Sequence, residues 1–241
     1  MKRVQLRDHT KAEAAPRAEQ APVVVLIHGL NVPHMVMWPL RWRLRYRYRR
    51  RVEIFHYERF HHDVPRLAEM LARRMAKLGV KEFDAVTHSM GGVVLRWAMN
   101  HQPMPKLRRA VMIAPPNNGS WLAAHLSKKM GVFFRLVFGQ GGLQMRPGRL
   151  GIATRAGLLE TAEVGIIAGG NGTAKGKRNW FKIPGDGDGT VAVEETILPG
   201  MKDFMLLNYN HTHILFAAQT AMMANLFLEH GVFRPKFKKS H

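Results

Sequence analysis

The stretch Phe83–Arg96, FDAVTHSMGGVVLR, constrains what this chain can fold into more than any other. A short apolar run gives way to small residues and then to apolar residues at helical spacing, which predicts a strand, a sharp turn and a helix. Ser89 falls at the tip of that turn. Such a bend lifts a hydroxyl clear of a sheet, and the helix N-terminus behind it favours developing negative charge. Strand and helix approach closely there, so small neighbours are required. Gly91 supplies one two residues after the serine, whereas Thr87, two residues before it, is bulkier than the glycine such turns usually carry. Taken alone, the segment is also compatible with a serine that acts only as a turn residue or helix N-cap.

The surrounding chain supplies an α/β setting for the turn. Pro22 opens VVVLIHG, a continuous apolar run of the kind that is covered on both faces in a parallel sheet. Further strands are expected at Arg51–Tyr57, Phe83–Thr87, Arg109–Ala114, Val164–Gly169 and Phe204–Leu207. Asp63 and Pro65 start a helix with Leu67, Met70, Leu71, Met75 and Leu78 on one face, and Gly79 ends it. Met90–Asn100 is the helix after the serine turn, and Ile214–Glu229 a last long helix closed by Gly231. Alternating strands and helices predict a layered α/β fold with crossover connections. Arg41–Arg51, RWRLRYRYRRR, alternates like an exposed strand, but its place between two strands predicts a helix followed by a turn, with the arginines solvated. Gly139–Gly157 leaves the regular alternation. The apolar Val132–Phe138 before it is expected to be core, or else a modest apolar wall or lid.

At 241 residues the chain has the length of one domain, placed at 21–235 between a loosely held arm (1–20) and a basic tail (236–241). It has no cysteine, which excludes disulfides and thiolate metal sites. The N-terminus lacks the apolar core of a signal peptide, and Ile214–Leu228 falls short of a bilayer span, so a cytoplasmic protein is expected, peripheral at a membrane if it meets one. Lys and Arg number 37 against 17 Asp and Glu, a net charge of +20. A field of that sign attracts phosphate-rich partners. It is equally what a plain basic surface produces.

A serine hydroxyl needs a base within reach, a group that orients the base, and donors for an oxyanion. In strand–turn–helix enzymes these follow in the order Ser, Asp or Glu, His. After Ser89 the chain offers Asp188 in GDGDGTV and His211 in NYNHTHILF, each following a predicted strand. GDGDG also fits an ordinary turn, and His211 or His213 a capping or core histidine. It is not a calcium loop, because the D-x-D-x-D-G run and distal Glu are missing. What favours chemistry is that all three follow the carboxyl ends of strands, where open α/β sheets bind ligands. His28-Gly29-Leu30 ends the first strand, so the N–H of Leu30 can join that of Met90 as an oxyanion hole. Gly170–Lys177 fails as a phosphate loop, having Asn171 and Arg178 where Gly and Ser or Thr are needed. His61-His62 are adjacent, without the spacing of a zinc motif, and Asn117 and Asn118 read as turn formers. No metal or cofactor is expected.

The segments VVLIHGL (24–30), FDAVTHSMGGVVLRW (83–97), VMIAPPNNGSWLA (111–123), IPGDGDGTVAVEET (183–196) and NHTHILF (210–216) resemble the α/β-hydrolase superfamily. Within it they are similar to bacterial lipase-like serine hydrolases related to triacylglycerol lipases and GPI inositol-deacylase-like proteins. The resemblance implies a mostly parallel central sheet flanked by helices, with a small lid or none. It implies Ser89 as nucleophile, Asp188 as orienting acid and His211, rather than His213, as base. The activity implied is cleavage of a carboxylic ester, of an acyl lipid or another apolar acyl ester, through an acyl-enzyme. The APPNNGS segment resembles a lipase turn in which Ser120 caps the next helix. Thr87 departs from the family's G-x-S-x-G pattern.

A second reading belongs to another class: a basic membrane- or nucleic-acid-binding protein on a hydrolase-like scaffold. It would use Arg41–Arg51, with Trp42, Tyr46 and Tyr48 interleaved, and the tail RPKFKKSH. Of the two polyanions, an anionic membrane surface is the expected partner of Arg41–Arg51, and nucleic acid is not.

Overall fold

A computed structural model describes residues 21–30, 33–57, 63–149, 151–170 and 182–235. The expected arm (1–20), His61-His62, most of the Gly170–Lys177 stretch and the tail from 236 lie outside the described residues. Six strands form one all-parallel sheet: β1 (Val23–Ile27), β2 (Val52–Phe55), β3 (Glu82–His88), β4 (Lys106–Ile113), β5 (Glu163–Gly169) and β6 (Asp203–Leu207), in the order β2-β1-β3-β4-β5-β6. Register pairs Ile27 with Thr87 and His88 with Ile113, so the chain leaves β1, β3 and β4 along one edge. That shared edge carries the residues the sequence singles out.

The helices cover both faces. On one side lie α2 (Val64–Leu78) and α3 (Met90–His101), whose Leu67, Leu71, Val93 and Val94 pack against Val23, Val25, Ile27 and Ala85. On the other lie α1 (Trp38–Trp42) and α8 (Ala218–His230), whose Leu40, Ala221 and Phe227 pack against Val24, Leu26 and Val111. Strands buried on both faces account for the unbroken apolar runs in the sequence. The Asp63 carboxylate accepts from Arg66 N–H at 2.9 Å to cap α2, and Gly79 closes it in the left-handed region at φ 62°. Between β4 and β5 the chain makes an excursion of three helices, α4 (Trp121–Met130), α5 (Val132–Gln144) and α6 (Ile152–Arg155). Ser120 caps α4 by accepting from Ala123 N–H at 3.2 Å. A short helix, α7 (Val193–Thr196), precedes β6.

Three expectations need correction. Arg41–Arg51 is a helix followed by a non-helical stretch from Tyr48, as its place between strands predicts, but the helix starts earlier, at Trp38, and continues through Arg43–Arg47 as a wider π-type turn. The last helix is not one unit. His213–Leu215 forms a 3₁₀ turn, Ala217 is extended at ψ 130°, and α8 begins at Ala218. Ile214 and Leu215 are fully buried in the core on their own account, so their apolar character mimics a helix they do not join. Val132–Phe138 is not simply core either: Phe134 is buried, but Val132, Phe133, Leu136 and Val137 are exposed.

Candidate active site

Ser89 sits between β3 and α3 with φ 53° and ψ −129°, a conformation that costs an L-residue about 1–3 kcal/mol. The turn holds it there through Ser89 N–H to the Ile113 carbonyl at 2.9 Å and Gly92 N–H to the Ser89 carbonyl at 3.0 Å. Close packing explains the glycines. A Cβ on Gly91 would stand 2.4 Å from the Ile27 carbonyl oxygen, and one on Gly29 would stand 2.8 Å from the Ser89 Cβ. Thr87, where relatives of this pattern carry glycine, is fully buried and faces Gly92, where a Cβ would come within 3.3 Å of the threonine Oγ1. The turn keeps its room by having Gly92 opposite the bulkier residue.

Asp188 is buried in the loop after β5, and its two oxygens are assigned to different tasks. Oδ1 accepts from Thr190 N–H at 2.9 Å and Val191 N–H at 2.8 Å; Oδ2 lies 2.6 Å from Nδ1 of His211. The two loops are also stitched through the backbone, His211 N–H donating to the Asp188 carbonyl at 3.0 Å. His213 goes elsewhere, with Nδ1 2.7 Å from Oδ1 of Asn210 on the exposed side of the loop. Of the two histidines, His211 is the one on Asp188.

Ser89, His211, Leu30 and Met90 line a single cavity of about 150 Å³. Apart from Ser120 and Thr190 the rest of its wall is apolar, with Leu122 and Leu126 from α4 and Phe134 and Phe138 from α5. Met90 is the first residue of α3, so its N–H has no acceptor within the helix. Leu30 follows directly on the His28-Gly29 end of β1.

Three residues around this site escape the sequence reading. His88, fully buried beside Ser89, lies with Nε2 2.9 Å from the His211 carbonyl oxygen and its ring 4.7 Å from the His211 ring. A carbonyl only accepts, so His88 carries its proton on Nε2. Burial first, and the neighbouring His211 second, hold its pKa well below the ordinary imidazole value. Tyr57 stacks on His28 at 3.9 Å and donates its hydroxyl to the His28 carbonyl at 2.6 Å, which fixes the end of β1. Burial pushes the pKa of His28 down to about 4. Glu195, its pKa raised by burial, accepts from Trp121 N–H at 2.5 Å and Ala192 N–H at 2.8 Å, tying the start of α4 to the Asp188 loop. His88 and Tyr57 have no local sequence signal, because each works through a residue distant along the chain; Glu195 bonds Ala192 three residues back, but its tie to Trp121 spans 74 positions. Asn117 and Asn118 do more than form a turn: their side-chain amides donate to the Thr196, Glu194 and Ile197 carbonyls. Among the described residues, no group of three or more His, Asp or Glu is placed to hold a metal ion.

A parallel sheet with a serine at a strained strand–helix turn, and a His–Asp pair in later loops of the same edge, defines a hydrolase-fold protein. Residues 24–213 match the model of the alpha/beta hydrolase family, and the chain belongs to that family. No curated protein matches it. Among similar solved structures is the mature lipase BlEst2 of Bacillus licheniformis, at 16% identity and TM-score 0.63 over 87% of this chain and 91% of that one. Carboxylesterase CesB of Bacillus subtilis is similar at 13% identity and TM-score 0.57, covering 88% and 85% of the two chains. Phospholipase PlaB of Legionella pneumophila is similar at 18% identity and TM-score 0.56, over 73% of this chain and 45% of that one. At these identities the likeness is one of fold.

Proposed function

We propose that this protein is a serine hydrolase that cleaves a carboxylic ester of an acyl lipid or another apolar acyl compound. The observation that carries this is the 2.6 Å contact between His211 Nδ1 and Asp188, on the wall of a cavity that also exposes a strained Ser89. His211 takes the Ser89 proton on Nε2 as the hydroxyl oxygen attacks the ester carbonyl. Asp188 keeps the proton of the neutral ring on Nδ1 and stabilises the imidazolium. The N–H groups of Leu30 and Met90 bind the oxyanion of the tetrahedral intermediate. His211 then gives its proton to the leaving alcohol, and a water deprotonated by the same ring releases the acid from Ser89. His88 is a positioning residue, neutral throughout, whose N–H holds the His211 backbone in place.

The lining favours entry of the acyl side of the ester. Leucines and phenylalanines suit an acyl chain, not a sugar or phosphate. A cavity of about 150 Å³ matches one that takes a single benzene ring. A short acyl group therefore fits whole, and a long one extends past α5 toward its exposed apolar face. Support from the similar structures is that those named are a lipase, a carboxylesterase and a phospholipase. The test is labelling with a fluorophosphonate probe followed by turnover of p-nitrophenyl esters. Wild type is expected to label and to cleave butyrate faster than palmitate; Ser89→Ala is expected to do neither. Label that persists on the Ser89→Ala protein would show that the nucleophile is another residue.

A further inference from the structure

The 3₁₀ turn His34–Met37 and the helix that runs on from Trp38 into the turn at Arg43–Arg47 together have two apolar stripes, and the core uses only one. Met37, Leu40 and Leu44, spaced by three and four, are completely buried against the sheet and α8. Met35, Trp38, Trp42 and Tyr46, spaced by three, four and four, share the opposite face and are 49, 52, 60 and 63% exposed. A soluble helix ordinarily turns charge, not two tryptophans, toward water. Arginines border the stripe: Arg45, its guanidinium 5.8 Å from the Tyr46 ring centre, with Arg47, Arg49 and Arg51 exposed beyond it. No acidic residue occurs between positions 20 and 52 of the sequence.

We infer that this face is a docking surface for an anionic phospholipid bilayer, with Met35, Trp38, Trp42 and Tyr46 set into the headgroup layer and the flanking arginines on lipid phosphates. Tryptophan and tyrosine have an apolar body and one polar group, which suits a boundary between water and hydrocarbon. Arginine pairs with phosphate while its stem stays among apolar neighbours. A helix lying flat presents one such line of rings to a planar surface, and basic residues strengthen its binding to anionic lipid. The rings line a convex helix rather than a groove, which suits a membrane better than a single nucleic-acid strand threaded between platforms. A second copy is opposed by charge, since both partners would bring a net +20. The surface differs from the one the sequence suggests. Tyr48 packs against the core and Arg50 is bound to Asn225 and Glu229, so neither belongs to it, while Met35 and Trp38 do.

The test is co-sedimentation of the full chain with phosphatidylcholine vesicles that contain or lack phosphatidylglycerol, across a salt series. Binding is expected only with phosphatidylglycerol and is expected to weaken with salt. Trp38→Ser/Trp42→Ser/Tyr46→Ser should weaken it at least about tenfold while leaving cleavage of a soluble short-chain ester unchanged. Arg45→Glu/Arg47→Glu, which keeps every ring, should also weaken it. In the unaltered protein, brominated lipid should quench tryptophan emission, a readout that does not depend on any variant folding. The proposal is overturned if the triple variant binds as wild type does, if quenching is absent, or if wild type holds equally to vesicles without phosphatidylglycerol. It is also overturned if the three substitutions abolish self-association or binding of a single-stranded oligonucleotide and leave vesicle binding intact. With the vesicles made from ether-linked phospholipids, which contain no carboxylic ester, binding and quenching do not depend on hydrolysis, and failure of the proposed Ser89 chemistry would show only in the labelling experiment.

Discussion

The cavity beside Ser89 has two walls built on opposite terms. The sheet-edge wall, made of the serine turn and the loops carrying Asp188 and His211, is buried, cross-bonded and strained. Gly91 lies against the Ile27 carbonyl, and Asp188 spends both oxygens on fixed partners. The hairpin wall, α4 and α5, contributes Leu122, Leu126, Phe134 and Phe138 but leaves Val132, Phe133 and Leu136 in water. Its second helix breaks at Gly139, where φ is 65° and ψ −172°. The first wall holds each group by several fixed partners, the positioning that the proposed Ser89 chemistry needs. The second needs only apolar surface of the right size, which many side chains can provide.

Substitutions should therefore fall into two groups. The largest effect is expected at Asp188→Asn, which preserves shape but not charge: kcat should fall about 10⁴-fold with little change in Tm. A fall below about tenfold would mean that this pair does not act together. Next is Gly91→Ala, whose methyl would meet backbone oxygens that cannot move aside. A loss of about 3 kcal/mol is expected in denaturant unfolding, while the corresponding change at Gly131, where nothing stands within 4 Å, should cost about 1 kcal/mol from its φ of 55°.

Acid should act on the sheet-edge wall as well. His28 has a folded pKa of about 4 against an ordinary 6.5, so below 6.5 the unfolded chain takes up a proton that the folded chain refuses. Stability from this group is complete above pH 6.5 and is lost as pH falls toward 4, on the order of 3 kcal/mol, with His88 acting in the same direction. Urea unfolding at pH 7.5 and pH 5 reads this, and His28→Asn should flatten the difference. The smallest effect is expected at Leu136→Ser on the hairpin, within about 0.5 kcal/mol of wild type in Tm-derived stability. A loss above about 2 kcal/mol would mean that this wall is anchored as firmly as the other.

Much of this was legible because it is local. Helix caps, glycines near the serine and apolar runs act over a few residues, so Asp63, Gly79 and the six strands could be located from their immediate neighbours. Sequence order also put Ser89, Asp188 and His211 after three different strands, β3, β5 and β6. Short-range pattern has nothing to say about partners brought from far away. His88 and His211 meet across 123 positions, and Tyr57 reaches His28 across 29.

By itself, then, the sequence determined a parallel α/β sheet with a serine at a sharp turn on its edge, since backbone preference and hydrophobic period dictate both. The resemblance pointed to His211 rather than His213, but the residues alone left both open, and tertiary structure brings His211 onto Asp188. The two histidines, two positions apart in the loop, bond to different partners, His211 to Asp188 and His213 to Asn210, and the packing of two distant loops sets which is which. It alone decided that Trp38 and Trp42 face outward while Leu40 and Leu44 face the core, because a helix apolar on two sides has no inside until something packs against it.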